Sequence, residues 1–187
     1  SLEETLEKVL RDITERSERL IRENEKNLRD VKREVEKLNE RNRDVLKKIR
    51  EKVRELIEEL RRKGKKEVLE EIEERLKRIE EEVRRALERS REILREIEKR
   101  NDETLKTSKD TLERIREEVE KISDKVKGEE AIRKVLEELK KLLEEDERRA
   151  KRVSEESKEL LDRLAEDNER TIRKLERLLE ELERRTK

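Results

Sequence analysis

Residues 101–111 read NDETLKTSKDT and lie in the middle of a long helical pattern. Elsewhere in that pattern, the positions that face a core are Leu, Ile or Val. Here Asn101, Thr104, Ser108 and Thr111 occupy the buried stripe instead. Similar polar interruptions recur at matching heights in the rest of the chain. Because buried polar groups need hydrogen-bond partners, these interruptions predict polar layers between packed helices.

The composition predicts long helices. Of 187 residues, 60% are charged, 28% are hydrophobic and 0% are aromatic. Such a charge fraction is typical of disordered chains. However, the apolar residues recur with helical spacing, and most other residues are strong helix formers. The sequence therefore indicates a coiled-coil or long-helix bundle.

Two glycines, Gly64 and Gly128, divide the chain almost into thirds. Each follows basic residues, a pattern typical of a helix C-cap in which glycine adopts the left-handed conformation. Because the turns are very short, consecutive helices should be antiparallel, and the predicted fold is an all-α, up-down-up three-helix bundle. We expect one domain over residues 1–187, with helices over about 2–63, 66–127 and 129–186.

The apolar stripe of each segment nearly repeats every 18 residues or so, as at Leu2, Leu20, Leu38 and Leu56. About 18 residues make five turns of an ideal helix, so the repeat predicts nearly straight helices. Each stripe covers an arc of about 120°, which suits a helix with two neighbours. No segment has a second apolar face. The pattern therefore favours a monomer, with self-association or a helical partner as the alternative.

Pairing residues at equal distances from each glycine gathers the polar interruptions into layers. The predicted layers are Ser17 with Thr111, and with Asp146 at the same level; Asn24 with Asn101, Thr104, Ser108, Ser154 and Ser157; and Asn39 and Asn42 with Ser90, Asn168 and Thr171. Such layers oppose wrong registers, because slippage would bury each polar group against Leu. The alternative is that these residues are solvated at the surface. For Asp146, the sequence leaves open a buried hydrogen bond or an exit to solvent.

The sequence gives no basis for several classes of function. Lys plus Arg is 56 and Asp plus Glu is 56, so no basic excess indicates nucleic-acid binding. The chain lacks the apolar runs and aromatic anchors of membrane helices. It has no His and no Cys, which excludes Ser-His and Cys-His nucleophiles. We therefore predict no enzyme activity, metal, cofactor or small-molecule substrate. The protein should be soluble, with no natural location, and cytoplasmic on recombinant expression.

Several features together point to an artificial origin. They are two lone loop glycines, matched helix lengths and surfaces built almost wholly from Glu, Lys and Arg. The polar layers, such as Asn42 with Ser90 and Asn168, complete the pattern. On these features the chain resembles de novo designed helical bundles with buried hydrogen-bond networks.

The resemblance implies a structural scaffold without a natural biochemical function. An alternative is a designed interaction module, either a homo-oligomer or the three-helix half of a helical heterodimer or switch. In that alternative, flank positions such as Asn27, Asn39 and Ser123 would lie in an interface.

Overall fold

The structure, a computed structural model, describes the backbone of residues 2–124 and 128–186 and the side chains of residues 4–122 and 128–186. It contains three long helices, α1 (Leu2–Lys63), α2 (Lys66–Asp124) and α3 (Glu129–Arg185). The predicted all-α three-helix bundle is confirmed. Residues 125–127, predicted as the end of the second helix, lie outside the described residues.

The turn between α1 and α2 is a complete glycine C-cap. Gly64 has a φ of 72°, in the left-handed region. Its N–H donates to the carbonyl of Arg61, and the N–H of Lys65 donates to the carbonyl of Leu60, each at 3.2 Å. These two bonds define the Schellman motif, which satisfies carbonyls that the helix end would otherwise leave unpaired.

Gly128 also has a positive φ, of 115°. Its carbonyl accepts a hydrogen bond from the N–H of Ile132 at 3.2 Å, so Gly128 stands at the start of α3. The predicted C-cap role of Gly128 for the second helix involves residues 125–127, which are not described.

The chain forms two compact units, and segments of all three helices contribute to each. The first unit contains Ser1–Val31 and Glu96–Lys158, and the second contains Lys32–Arg95 and Glu159–Lys187. The helices continue from one unit into the other without a break in helical structure. That the whole chain is one domain with nearly straight helices stays a prediction.

Contacts in the second unit give the helix directions. Between α1 and α3, Asn42–Asn168 and Lys52–Glu183 join residues with nearly constant separations of 126 and 131 in the chain, so these segments are parallel. Between α2 and α3, the separation rises from 92 for the contact of Lys174 with Glu82 to 114 for that of Arg185 with Glu71. These segments are therefore antiparallel.

The first unit has the same α2–α3 arrangement. Ser108 and Asp146 are separated by 38 residues in the chain, and Arg100 and Glu156 by 56. Because the separation grows with distance from Gly128, α2 and α3 are antiparallel here too.

The core of each unit is aliphatic. In the second unit the fully packed cluster consists of Ile49, Val53, Leu60, Ile72, Ile79, Val83, Leu175 and Leu182. In the first unit the main cluster consists of Leu10, Ile13, Ile115, Leu136, Leu139 and Leu143. Burial of such side chains contributes about 1.5–3 kcal/mol each, so these clusters are the main source of cohesion.

Among the described residues, no helix is long and apolar enough to cross a membrane.

Replacing Gly64 with Ala should destabilise the protein by about 1–2 kcal/mol, because an L-residue is strained in the left-handed region. An added Cβ would meet no atom within 4 Å, so the expected loss comes from backbone strain and not from a clash. Chemical denaturation of the parent and of the Gly64→Ala variant measures the difference.

The matched control is Lys65→Ala, which keeps the Schellman N–H and should leave stability nearly unchanged. Gly64→Asn should lie between Gly64→Ala and the parent, because Asn tolerates the left-handed conformation better. Equal stability of Gly64→Ala and the parent would contradict the C-cap assignment.

Candidate functional site

The best-connected polar layer lies in the second unit and joins α1 to α3. Asn42 is fully buried, and Asn168 is 2% exposed. The Asn42 Nδ2 donates to Asn168 Oδ1 at 2.9 Å, and Asn168 Nδ2 donates to the backbone carbonyl of Leu38 at 3.3 Å. Asn168 thus binds two successive turns of α1 at once, which fixes its height along that helix.

This layer interrupts an otherwise aliphatic core. Val35 and Leu164 are buried on one side of it, and Ile49 and Leu175 are buried on the other. Aliphatic contacts are non-directional, so they stabilise several alignments of neighbouring helices almost equally. The amide pair has one alignment in which its donors meet their acceptors.

Ser90 does not take part in this hydrogen bonding. It is fully buried on α2, but its Oγ has no hydrogen-bond partner. The predicted bond of Ser90 to Asn42 or Asn168 is therefore wrong. The serine hydroxyl is only one carbon from the backbone, so it reaches a neighbouring helix only where the two backbones approach closely.

Two other residues predicted for this layer lie at its margins. Asn39 is 8% exposed, and its Oδ1 has no partner. Thr171 is buried, but its Oγ1 donates to the Asp167 carbonyl of its own helix at 3.0 Å. The same oxygen accepts a long hydrogen bond of 3.5 Å from Arg89, which links it to α2. Thr171 is therefore satisfied without the asparagine pair.

In the first unit, Asn101 links α2 to α3. Its Nδ2 donates both to the Ile97 carbonyl at 2.7 Å and to Ser157 Oγ at 3.0 Å. Both Asn101 and Ser157 are buried. The amide nitrogen has two protons, so these two bonds use its full donor capacity.

The partner of Ser108 differs from the prediction. Ser108 is fully buried, and its Oγ donates to Asp146 Oδ1 at 3.0 Å. Sequence reasoning placed Ser108 with Asn24 and Ser154, and placed Asp146 at the level of Ser17. Ser108 and Asp146 lie at nearly equal distances from Gly128, so the pairing rule contained the signal for this contact.

Asp146 is a buried carboxyl group. Its side chain is 1% exposed, and Arg149 NH1 lies 3.3 Å from Oδ1. Burial raises the pKa of Asp146, while the Ser108 hydrogen bond and the charge of Arg149 lower it, and the charge of Glu147 raises it. Its second oxygen, Oδ2, has no hydrogen-bond partner. The predicted alternative of an exit to solvent is thus excluded.

The predicted layer around Asn24 is not formed as expected. Asn24 is 8% exposed, and its Nδ2 has no partner. Thr104 is buried, whereas Ser154 and Thr111 are half-buried. The amide of Asn24 therefore donates to none of the hydroxyls predicted around it.

A shift between α1 and α2 explains the position of Asn24. Lys109 Nζ lies 3.8 Å from Glu25, and Arg116 NH2 lies 3.1 Å from Glu18. In both pairs the α2 residue is farther from Gly64 than its α1 partner by more than one turn. This offset separates Asn24 from Thr104 along the helix axes.

The layers also contain buried polar atoms without partners. Among the described residues these are Ser17 Oγ, Asn24 Nδ2, Asn39 Oδ1, Asn42 Oδ1, Ser90 Oγ and Asp146 Oδ2. Each such atom costs about 1–3 kcal/mol of stability. The polar layers therefore lower stability at some positions while restricting alignment at others.

Ion pairs between helices flank the layers at the surface. Arg16 pairs with Glu147, and Arg100 with Glu156, at 2.6 Å and 2.8 Å. These side chains are more than one-third exposed, so each pair contributes about 0–1 kcal/mol. No group of three or more potential metal-ligating side chains occurs among the described residues.

No protein-family model, curated protein or solved structure matches this chain.

Asn42→Ala should destabilise the protein by about 1–3 kcal/mol, because it leaves the buried Asn168 Oδ1 without its donor. Ser90→Ala is the matched control, since it removes a fully buried hydroxyl that has no partner. We expect Ser90→Ala to be neutral or stabilising. Guanidinium unfolding at elevated temperature measures both variants beside the parent.

Two results would contradict this assignment of the layer. The first is an Asn42→Ala variant as stable as the parent, because Asn42 would then face water. The second is a Ser90→Ala variant that loses as much stability as Asn42→Ala, because Ser90 would then have a partner.

Proposed function

We propose that this protein is a designed structural scaffold whose buried polar layers specify the register of its three helices. The proposed artificial origin rests on the sequence features alone: regular helix lengths, lone loop glycines and an aromatic-free composition. The proposed role rests on the Asn42–Asn168 layer, which joins two helices through directional bonds inside an aliphatic core.

The register role follows from the length scale of the bonds. One helical turn is about 5.4 Å long, and a hydrogen bond between an amide and a carbonyl tolerates only a few tenths of an ångström. A slip of one turn would remove both bonds of Asn168 and bury its amide among Val and Leu side chains. Such a slip in an all-aliphatic core would replace one apolar contact with another.

The alternative of an interaction module makes a different demand on the flank positions. Asn39 is buried within the chain, Asn27 is exposed, and Ser123 lies outside the described side chains. The burial of Asn39 removes it from any interface with a partner. Self-association and a helical partner stay predictions, and light-scattering mass during size-exclusion chromatography would detect the former.

The test of the proposed function replaces the whole layer at once. A variant with Asn42, Ser90 and Asn168 all changed to well-fitting aliphatic residues has no orphaned polar group in that layer. Its stability should equal or exceed that of the parent, because an aliphatic replacement of a buried polar set is often neutral or stabilising. Uniqueness of the helix alignment should be lost.

Alignment can be measured by pulsed electron paramagnetic resonance, because the chain contains no Cys and two labelled cysteines would be unique. Arg43 of α1 and Arg170 of α3 are both exposed within the second unit. With labels at these sites, the parent should give one narrow distance distribution. The aliphatic variant should give a broader or multiple distribution, or a mass of more than one chain.

A substitution elsewhere in the core controls for volume changes. Val35→Ile keeps the polar layer and should keep the narrow distribution. An aliphatic variant with the same narrow distribution and monomeric mass as the parent would contradict the register role.

A further inference from the structure

Asp146 stands out among the buried polar residues of the first unit because it can change its charge. One of its oxygens, Oδ1, accepts a hydrogen bond from Ser108 Oγ at 3.0 Å. The other, Oδ2, is buried without a partner. An ionised carboxylate has only acceptor sites, so Oδ2 in that form needs a donor, whereas a protonated carboxyl group gains one donor of its own.

Ser17 of α1 lies at the same level as Asp146 and is equally buried. The ion pair of Arg16 with Glu147, at 2.6 Å, joins the residues next to Ser17 and Asp146 on the two helices. Ser17 and Asp146 are both 0% exposed, so both lie on the core sides of their helices. The Ser17 Oγ is also without a hydrogen-bond partner.

The charged groups around Asp146 do not neutralise its carboxylate fully. From its own helix, Arg149 lies 3.3 Å from Oδ1 but is 39% exposed, so solvent screens it. Glu147 adds negative charge, which Arg16 of α1 balances by pairing with it. The α2 helix presents the neutral Ser108 hydroxyl, and its neighbour Lys109 lies 3.8 Å from Glu25 of α1.

We propose that Ser17, Ser108 and Asp146 form a buried proton-binding site, in which a proton from solvent binds Asp146 Oδ2 and is donated to Ser17 Oγ. In the ionised state, only Ser108 and Arg149 contact the carboxylate. In the protonated state, the new O–H on Oδ2 supplies the donor that Ser17 Oγ lacks. Two buried unpartnered atoms are thereby satisfied by one proton, and no covalent bond other than the O–H forms.

Proton binding at this site couples folding to pH. Burial is the main cause that raises the pKa of Asp146 above the ordinary value of 3.8. The native state therefore holds the proton more tightly than the unfolded chain does. The resulting stabilisation is fully present below the pKa of the unfolded chain and is lost as pH rises through the native pKa. At neutral pH, Asp146 is ionised at the expense of stability.

The test is a carboxyl titration of the full chain labelled with ¹³C-aspartate, followed by NMR, with Asp146→Asn used to assign the resonance. In the parent, the Asp146 midpoint should lie above 3.8. Ser17→Ala removes the acceptor of the protonated form and should lower the midpoint. Ser108→Ala removes a donor to the ionised form and should raise it. Opposite shifts from two serine-to-alanine changes are the signature of the site.

Thermal unfolding gives a second, independent readout. Asp146→Asn places an uncharged amide donor where the proposed O–H would be, so it imitates the protonated state. This variant should have a higher melting temperature than the parent at neutral pH, and the difference should shrink as pH falls.

Three results would overturn the proposal. They are an Asp146 midpoint at the ordinary value, a Ser17→Ala midpoint equal to or above that of the parent, and a melting temperature that follows sodium concentration at constant pH. The last result would indicate a cation in place of the proton.

Discussion

A buried amide must find hydrogen-bond partners, and this requirement sets where α1 and α3 can lie against each other in the second unit. Asn168 donates to the Leu38 carbonyl and accepts from Asn42, so two points one turn apart on α1 hold it. The surrounding Leu, Ile and Val side chains provide most of the cohesion but little directional information. Alignment in this unit therefore depends on a few polar atoms, while stability depends on many apolar ones.

The polar layers are unequal, and their differences have physical consequences. Asn101 and Ser157 satisfy each other between α2 and α3, as the asparagine pair does between α1 and α3. Ser90 and Ser17, in contrast, are buried hydroxyls without partners. Such groups lower stability without fixing an alignment. Asp146 differs again, because a change of protonation alters which of its atoms need partners.

The sequence predicted the helices well because their signals are local. The helical period of the apolar residues and the left-handed preference of Gly64 act within one turn, and the observed bounds of α1 follow them. Hydrogen-bond partners were predicted less well, because they depend on the offset between helices. Equal distances from a turn fix that offset to about one turn, whereas a hydrogen bond requires a much finer match. Hence Ser108 was assigned to Asn24 although it bonds Asp146, and Ser90 was assigned to an asparagine pair that it does not contact by a hydrogen bond.

The most direct test of the register account is a double-mutant cycle between Asn42 and Asn168. Asn42→Ala, Asn168→Ala and the double variant are compared with the parent by denaturant unfolding under conditions where the transition is reversible. If the two amides bond each other in the core, the double variant should lose less stability than the sum of the single variants, with a coupling energy of about 0.5–3 kcal/mol. Strictly additive losses would show that the amides do not interact, and the polar layer could not then set the alignment of α1 and α3.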